Sequence, residues 1–260
     1  MASKKKVALK ARYVPISRVS VELMRKMYDV YHRYYDNISL DLFSKDMVEK
    51  NGVFVIEERA TGRTVGFSTL KVLDMEVGGR RVTGVFSGDT IIEKEYWGTR
   101  VLQMQFFMKM IREKLKRPHR PLFWLLISKG YKTYLLLANN FYTYHPHPEG
   151  RFDYLAEHVE NYCGTLFPES FCQQRRLLDF GEGYTFLKED VAGITDDMRG
   201  SNAKIRFFEE CNPSWQRGTE LPCIGLVDSH LLLRYPFDLL RKRRRGTMAA
   251  ARPVAYDRAG

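Results

Sequence analysis

The chain has 260 residues, 44% of them hydrophobic, which is enough for a full core in one large domain or a domain with an elaborated subdomain. Its formal net charge of +11 sits at the ends: residues 1–12 carry five bases and no acid, residues 241–245 add five more bases, and residues 13–240 hold 30 Lys/Arg against 30 Asp/Glu. A neutral body argues against a specific nucleic-acid binder, and the absence of a membrane-length apolar run or an h-region after Met1–Lys6 argues for a cytoplasmic protein with at most peripheral membrane contact through its basic ends.

The elements follow in order. Leu23, Met27, Val30, Tyr31 and Tyr34 repeat at helical spacing, and a second helix over 39–50 has Ser39 as its N-cap. A three-strand meander follows: Val53–Glu58, a Thr61-Gly62 turn, Val65–Val72, a Gly78-Gly79 turn, then a long strand through Thr83. The run Thr83–Arg100 reads as strand then tight Gly-containing turn, and Val101–Leu115 as an amphipathic helix. Such a turn leaves backbone N–H groups unpaired at the positive end of a helix, a seat for phosphate or another anion. Pro121–Ile127 suits a strand buried on both faces. Further on, Phe152–Tyr162 and Pro168–Leu178 read as helices, Phe180–Tyr184 as a turn, Glu189–Asn202 as a loop, and Cys211–Cys223 as a Pro/Gly-containing loop around Trp215. The four cysteines, Cys163, Cys172, Cys211 and Cys223, lack CxxC spacing and are expected to be free thiols.

With the segments Val7–Val14, Val21–Lys50, Val53–Glu95, Thr99–Lys116, Leu122–Ile127 and Tyr131–Asn140 in this order, the chain resembles the GNAT superfamily of N-acyltransferases over residues 5–145. The resemblance implies an α+β fold, a mixed, mostly antiparallel central sheet flanked by helices, here with a helical and loop insertion before the last strands. Those last strands are expected at Ala203–Glu209 and Ile224–Leu233. The organisation is then a basic arm (1–12), a GNAT-like core (13–145), an elaboration (146–202), C-terminal strands (203–240) and a basic flexible tail (241–260).

Ile92-Glu93-Lys94-Glu95-Tyr96-Trp97-Gly98 is similar to the end of the family's fourth strand, before its pyrophosphate loop. The resemblance implies an acyl-CoA co-substrate seated by Ile92, Glu93, Trp97, Gly98, Thr99, Arg100, Val101 and Leu102, with no metal. The family loop reads Gln/Arg-x-x-Gly-x-Gly/Ala, whereas here Arg100 and Leu102 stand at its two glycines. Glycine lets a diphosphate approach the backbone, and an arginine offers phosphate a side-chain partner instead. A phosphopantetheine arm on an acyl-carrier protein is therefore an alternative donor, for which the basic stretch Lys109–Arg120 is a docking patch.

N-acyl transfer needs a base for the amine, a donor for the oxyanion and an acid for the leaving thiol. Strict alternation puts Asp89, Glu93 and Glu95 on one face with Val85 and Ser87, and a bulge would break that parity. Asp89, in the middle of a central strand, is the leading base; Glu93 is nearer the strand end, solvated or partnered by Lys94 and Arg100. Since a tyrosine after the fifth strand commonly serves the family as acid, the resemblance implies Tyr134, Tyr142 or Tyr144 in that role. His145 and His147 flank Pro146 in what reads as a surface loop, without a third metal ligand at a recognisable spacing. The elaboration and the Trp215 loop are expected to form the acceptor side. The function expected is acyl transfer to an amine of a small molecule or lipid. Alternatives are a catalytically inactive GNAT-like ligand- or protein-binding module, and a basic-armed nucleic-acid or membrane-surface binder.

Overall fold

A computed structural model describes residues 7–36, 39–181, 186–187 and 193–235. The elements are β1 (Leu9–Pro15), α1 (Val21–His32), β2 (Tyr35–Asp36), α2 (Leu40–Val48), β3 (Gly52–Glu58), β4 (Thr64–Val77), β5 (Arg80–Ile92) and α3 (Val101–Lys116). They continue as β6 (Leu122–Ser128), α4 (Tyr131–Ala138), β7 (Tyr144–His145), α5 (Ala156–Leu166), β8 (Phe171–Cys172), β9 (Leu177–Leu178), β10 (Phe186–Leu187), α6 (Asp196–Ser201), α7 (Ala203–Cys211) and β11 (Leu221–Leu226). Residues 229–235 are helical.

Seven strands form one sheet in the order β1-β3-β4-β5-β6-β11-β7. Every pairing is antiparallel except that of β5 with β6. The meander follows from local chemistry: Gly78 and Gly79 both take positive φ (56° and 73°), which a two-residue hairpin turn requires. Ser20 and Ser39 cap α1 and α2 by accepting from Leu23 N and Leu42 N, each at 3.1 Å. The β5–α3–β6 crossover places α3 on one face, with α4 and α7 beside it, around Phe54, Val85, Leu102, Met110, Trp124 and Leu126. The other face carries α1 and α2 over Val53, Val55, Phe67 and Ile91, and α5 over Phe86, Phe123, Leu125 and Ile224.

Four expectations need correction. Ala203–Glu209 is not a strand but lies in α7: the Asn202 side chain caps it at Lys204 N, and Ile205 and Phe208, three residues apart, are buried on one side. The region 224–233 is divided between the end of β11 and the helical residues 229–235. Pro168–Leu178 is not a helix; it holds the β8–β9 hairpin, whose polar turn includes Arg176 at φ 51°. The expected loop 189–202 contains α6, capped by Thr195, and its residues 189–192 lie outside the described residues, as do 182–184 of the expected turn.

The sheet also begins inside the segment assigned to the basic arm. Lys10 and Arg12 lie in β1, where both pair with Glu57 at 3.2 Å. The remaining basic residues of the ends, Lys4–Lys6 and those from 241 onward, lie outside the described residues. All four cysteines are free. Among the described residues no helix is long and apolar enough to cross a membrane.

Candidate functional site

β5 and β6 run side by side only from Thr83↔Leu122 to Ser87↔Leu126. Beyond that point β6 stays paired to β11 as far as Ser128, while β5 leaves it. At the parting, Trp124 Nε1 donates to Ser87 Oγ (2.9 Å). A cavity of about 420 Å³ opens there, reaching both faces of the sheet.

The parting coincides with a bulge. Leu70 pairs with Ser87 but Ser68 pairs with Thr90, so β5 carries one extra residue at Gly88–Asp89. The strict alternation therefore fails here: Val85 and Ser87 face α3 and Trp124, whereas Asp89 and Ile91 face α1 and α2. Gly88 permits the detour, since a Cβ on it would lie 2.5 Å from Thr69 Oγ1.

Asp89 stands in the cavity wall and accepts from Tyr31 Oη (3.3 Å). Burial pushes its carboxyl up to about 6; Asp46 adds to the rise, while Lys50 and Lys129 oppose it. Across the gap, Lys129 at the end of β6 pairs with Glu220 at 3.2 Å. Glu220 is 4% exposed, and burial raises its carboxyl against the pull of Lys129. Backbone bonds in both directions between Glu220 and Leu178, each 2.9 Å, hold that carboxylate in place. Lys129 Nζ also lies 5.3 Å from the centre of the Tyr35 ring, which stacks on Tyr31 at 4.5 Å. Burial, then Asp89 and Glu220, keep the Tyr35 phenol neutral. Lys50 pairs with Asp46 at 2.6 Å, and both line the cavity.

Of the residues expected to seat the donor, Ile92, Trp97 and Leu102 line the cavity. Gly98 takes φ 81°, and no atom would crowd a Cβ there. Arg100 is the N-cap of α3 without a side-chain cap bond, so Thr99, Arg100 and Val101 form the open helix start. Leu102 is 6% exposed and turned into the core, so the residue at the second family glycine does not fill the turn. Trp97 does occupy part of it, donating from Nε1 to Ile92 O (2.7 Å) under Lys132 Nζ, 3.9 Å from its ring. Burial and then Lys94 hold the Lys132 ammonium below its usual range. The end of α3 nearest the cavity is thus an electropositive turn, whose donor set suits a phosphate.

The remaining candidates are placed elsewhere. Glu93, 6% exposed, is enclosed by Arg33 and by Arg63 (2.8 and 2.9 Å), and the same Arg63 joins Glu58 and Tyr96. That network braces the turn and points away from the cavity wall. Tyr134 is fully buried behind α4 and donates to Pro146 O (3.1 Å); burial raises its phenol and that of neighbouring Tyr144. Tyr142 is exposed against the His230 ring. None of these three tyrosines lines the cavity: Tyr134 on α4 packs against Phe207 and Phe208 of α7, Tyr144 is buried in β7 beside His147, and Tyr142 lies exposed after α4. Tyr31 and Tyr35, from α1 and β2, are the phenols beside Asp89.

His145 is not in a surface loop but buried in β7, with Asp153 at 3.4 Å. Trp215 packs half-buried against the core and pins its loop, which sends Glu220 rather than Trp215 into the cavity. Four of the six bases of the stretch Lys109–Arg120 share two carboxylates, Lys109 and Lys116 pairing with the buried Glu113 and Arg117 and Arg120 with Asp74, so the stretch stays net basic.

Lys129 and Glu220 were missed in the sequence. Lys129 has a usable signal, since it directly follows the apolar strand β6. Glu220 had none.

No protein-family model matches the sequence, and no curated protein does. Solved structures do match. A probable N-acyltransferase of Enterococcus faecalis V583 aligns with a TM-score of 0.39 and 12% identity over 50% of this chain and 32% of its own. A GNAT family N-acetyltransferase from Escherichia coli in complex with CoA aligns with a TM-score of 0.34 and 12% identity, over 50% of this chain and 67% of its own. A GCN5-related N-acetyltransferase from Kribbella flavida gives 0.38 and 14%, over 52% and 34%. The chain thus spans about a third of the length of the first and third of these proteins. The elements from β1 through α4 follow one another in the order expected from the sequence.

Proposed function

We propose that the protein is an acyltransferase that moves an acyl group from a thioester donor, acyl-CoA or a phosphopantetheine-bound acyl chain, to an amine. The observation that carries this reading is the placement of Asp89. A bulge turns a buried carboxyl into a cavity that opens where two parallel strands part, opposite a lysine and next to an electropositive helix start.

The turn Trp97–Val101, with Arg100, Lys94 and Lys132 around it, is the seat for the donor's phosphate. The acceptor is a small molecule or lipid whose amine enters on the α1–α2 side, where all the cavity's carboxylates lie. With its carboxyl near 6, Asp89 is largely ionised at pH 7.5 and takes a proton from the attacking amine. The amine nitrogen bonds to the thioester carbonyl carbon, the carbon–sulfur bond breaks, and the thiolate leaves. The Lys129 ammonium faces the developing charge and returns a proton to the sulfur; Tyr31 orients Asp89.

One observation favours a second reading, a ligand-binding module without turnover: the Trp97 indole already holds the Ile92 carbonyl at the strand end a pantetheine arm would pass. Titration calorimetry with CoA and acetyl-CoA, followed by thiol release with a panel of primary amines, separates the two. Saturable CoA binding with amine-dependent thiol release that Asp89→Asn abolishes supports transfer. Binding without release under every amine supports the module.

A further inference from the structure

The cavity has two unlike arms. Apart from Lys132 at the mouth, its charged groups, Asp46, Lys50, Asp89, Lys129 and Glu220, come from α2, the bulge, the end of β6 and the loop before β11, and they meet on the α1–α2 side. The other arm runs beneath α3. Leu102, Phe106 and Met110 follow one another at intervals of four residues along it, and Trp124, Phe141 and Leu231 complete its wall. Eight residues of helix span about 12 Å. The arm is roofed by residues 227–235: Leu231 is 4% exposed, and Tyr235 meets the Phe107 ring at 4.8 Å.

We propose that this arm binds a long, unbranched hydrocarbon chain, so that the acyl group is a medium- or long-chain fatty acyl rather than an acetyl. This rests on the acyl-transfer reading of the same site. An acetyl group ends at the strand gap and leaves the arm empty. Gln103, Thr133 and Asn140 interrupt a wall that is otherwise aliphatic and aromatic, against which a ligand rich in amides would leave most of its donors and acceptors unpaired, whereas a hydrocarbon loses little there. The arm begins beside Trp97 and Leu102, at the donor's end, and passes the gap where Asp89 stands, so thioester and chain lie along one path. The segregation of every charged residue but Lys132, at the mouth, to the opposite arm is what an amphiphilic donor requires.

The test is titration calorimetry and thermal shift on the full chain with CoA, acetyl-, octanoyl- and dodecanoyl-CoA below micellar concentration, with sodium dodecanoate as a separate ligand. Each buried methylene contributes about fourfold in affinity, so dodecanoyl-CoA should bind more than about a hundredfold tighter than acetyl-CoA. Met110→Trp, which blocks the far end of the arm, should remove most of that gain while CoA binding persists. If the variant does not fold, the chain-length series on the parent protein decides alone. Equal affinity for acetyl- and dodecanoyl-CoA overturns the chain site and leaves the transferase reading standing. No binding of any CoA species or of dodecanoate overturns the chain site and, with it, the acyl-CoA form of the transfer reading, which then stands only for a carrier-bound donor. Binding of dodecanoate alone, without any thioester, overturns the donor form of the proposal and leaves a lipid-binding module.

Discussion

The two halves of β5 have different surroundings. From Thr83 to Ser87 the strand is clamped between β4 and β6, with Val85 and Phe86 in the apolar layers above and below. From Gly88 to Ile92 it has lost β6, gained a residue and turned a carboxylate into a cavity. The same backbone supports a core and, one bulge later, a site. What differs is the presence of a second neighbour: where pairing stops, the space is lined by whatever side chains the bulge turns into it.

That contrast can be broken deliberately. Leu126→Ala, in the clamped half, removes a fully buried side chain and should cost about 4 kcal/mol in urea unfolding. In the open half, Lys129→Met leaves Glu220 buried without its counter-charge and should cost about 3 kcal/mol at pH 8. Because the variant's Glu220 then gains a proton on folding, that loss should shrink as pH falls to 5 and grow as pH rises; a pH-independent loss would refute the ion pair as its cause.

Asp89→Asn should lower kcat about a hundredfold while leaving the fold intact. Burial raises the Asp89 carboxyl from its ordinary range to about 6, so its ionised form opposes folding above that pH. The asparagine variant should therefore match or exceed the parent's Tm at pH 8, keep about half of that advantage at pH 5 and lose it below about pH 4. A collapse of Tm at both values would make Asp89 structural. In the parent, kcat/KM should fall about tenfold per pH unit below 6, as Asp89 takes up its proton, and level off above 7. The smallest effect is expected at the bulge itself: Gly88→Ala pushes a methyl against Thr69 Oγ1 and should cost about 1 kcal/mol, with a larger share of activity lost than of stability.

Much of the scaffold was legible from residues 9 to 140. Gly-Gly and Thr-Gly turns, serine caps and helical or alternating apolar spacing are local signals, and the strands and helices they announce lie within a few residues of where they were read. The C-terminal third was less legible. Ala203–Glu209 carries apolar residues that fit either period, and the contact of Phe208 with Tyr134 on α4, together with the Asn202 cap, decides for a helix. At the site, Asp89 could be singled out as a carboxylate in a central strand, but its face could not, because the register of β4 against β5 is a pairing property. The candidate tyrosines after β6, Tyr134, Tyr142 and Tyr144, pack outside the cavity; Tyr31 and Tyr35, more than fifty residues upstream of Asp89, are brought in.

By itself, then, the sequence determined the order of elements, the turn before α3 and the presence of a costly carboxylate beside it, since each depends on neighbours a few residues apart. The tertiary structure alone decided where β5 and β6 part, which way the bulge turns Asp89, and that Glu220 meets Lys129 across the gap. Those outcomes depend on strand register and on buried charges seeking partners, and both are settled between segments far apart in the chain.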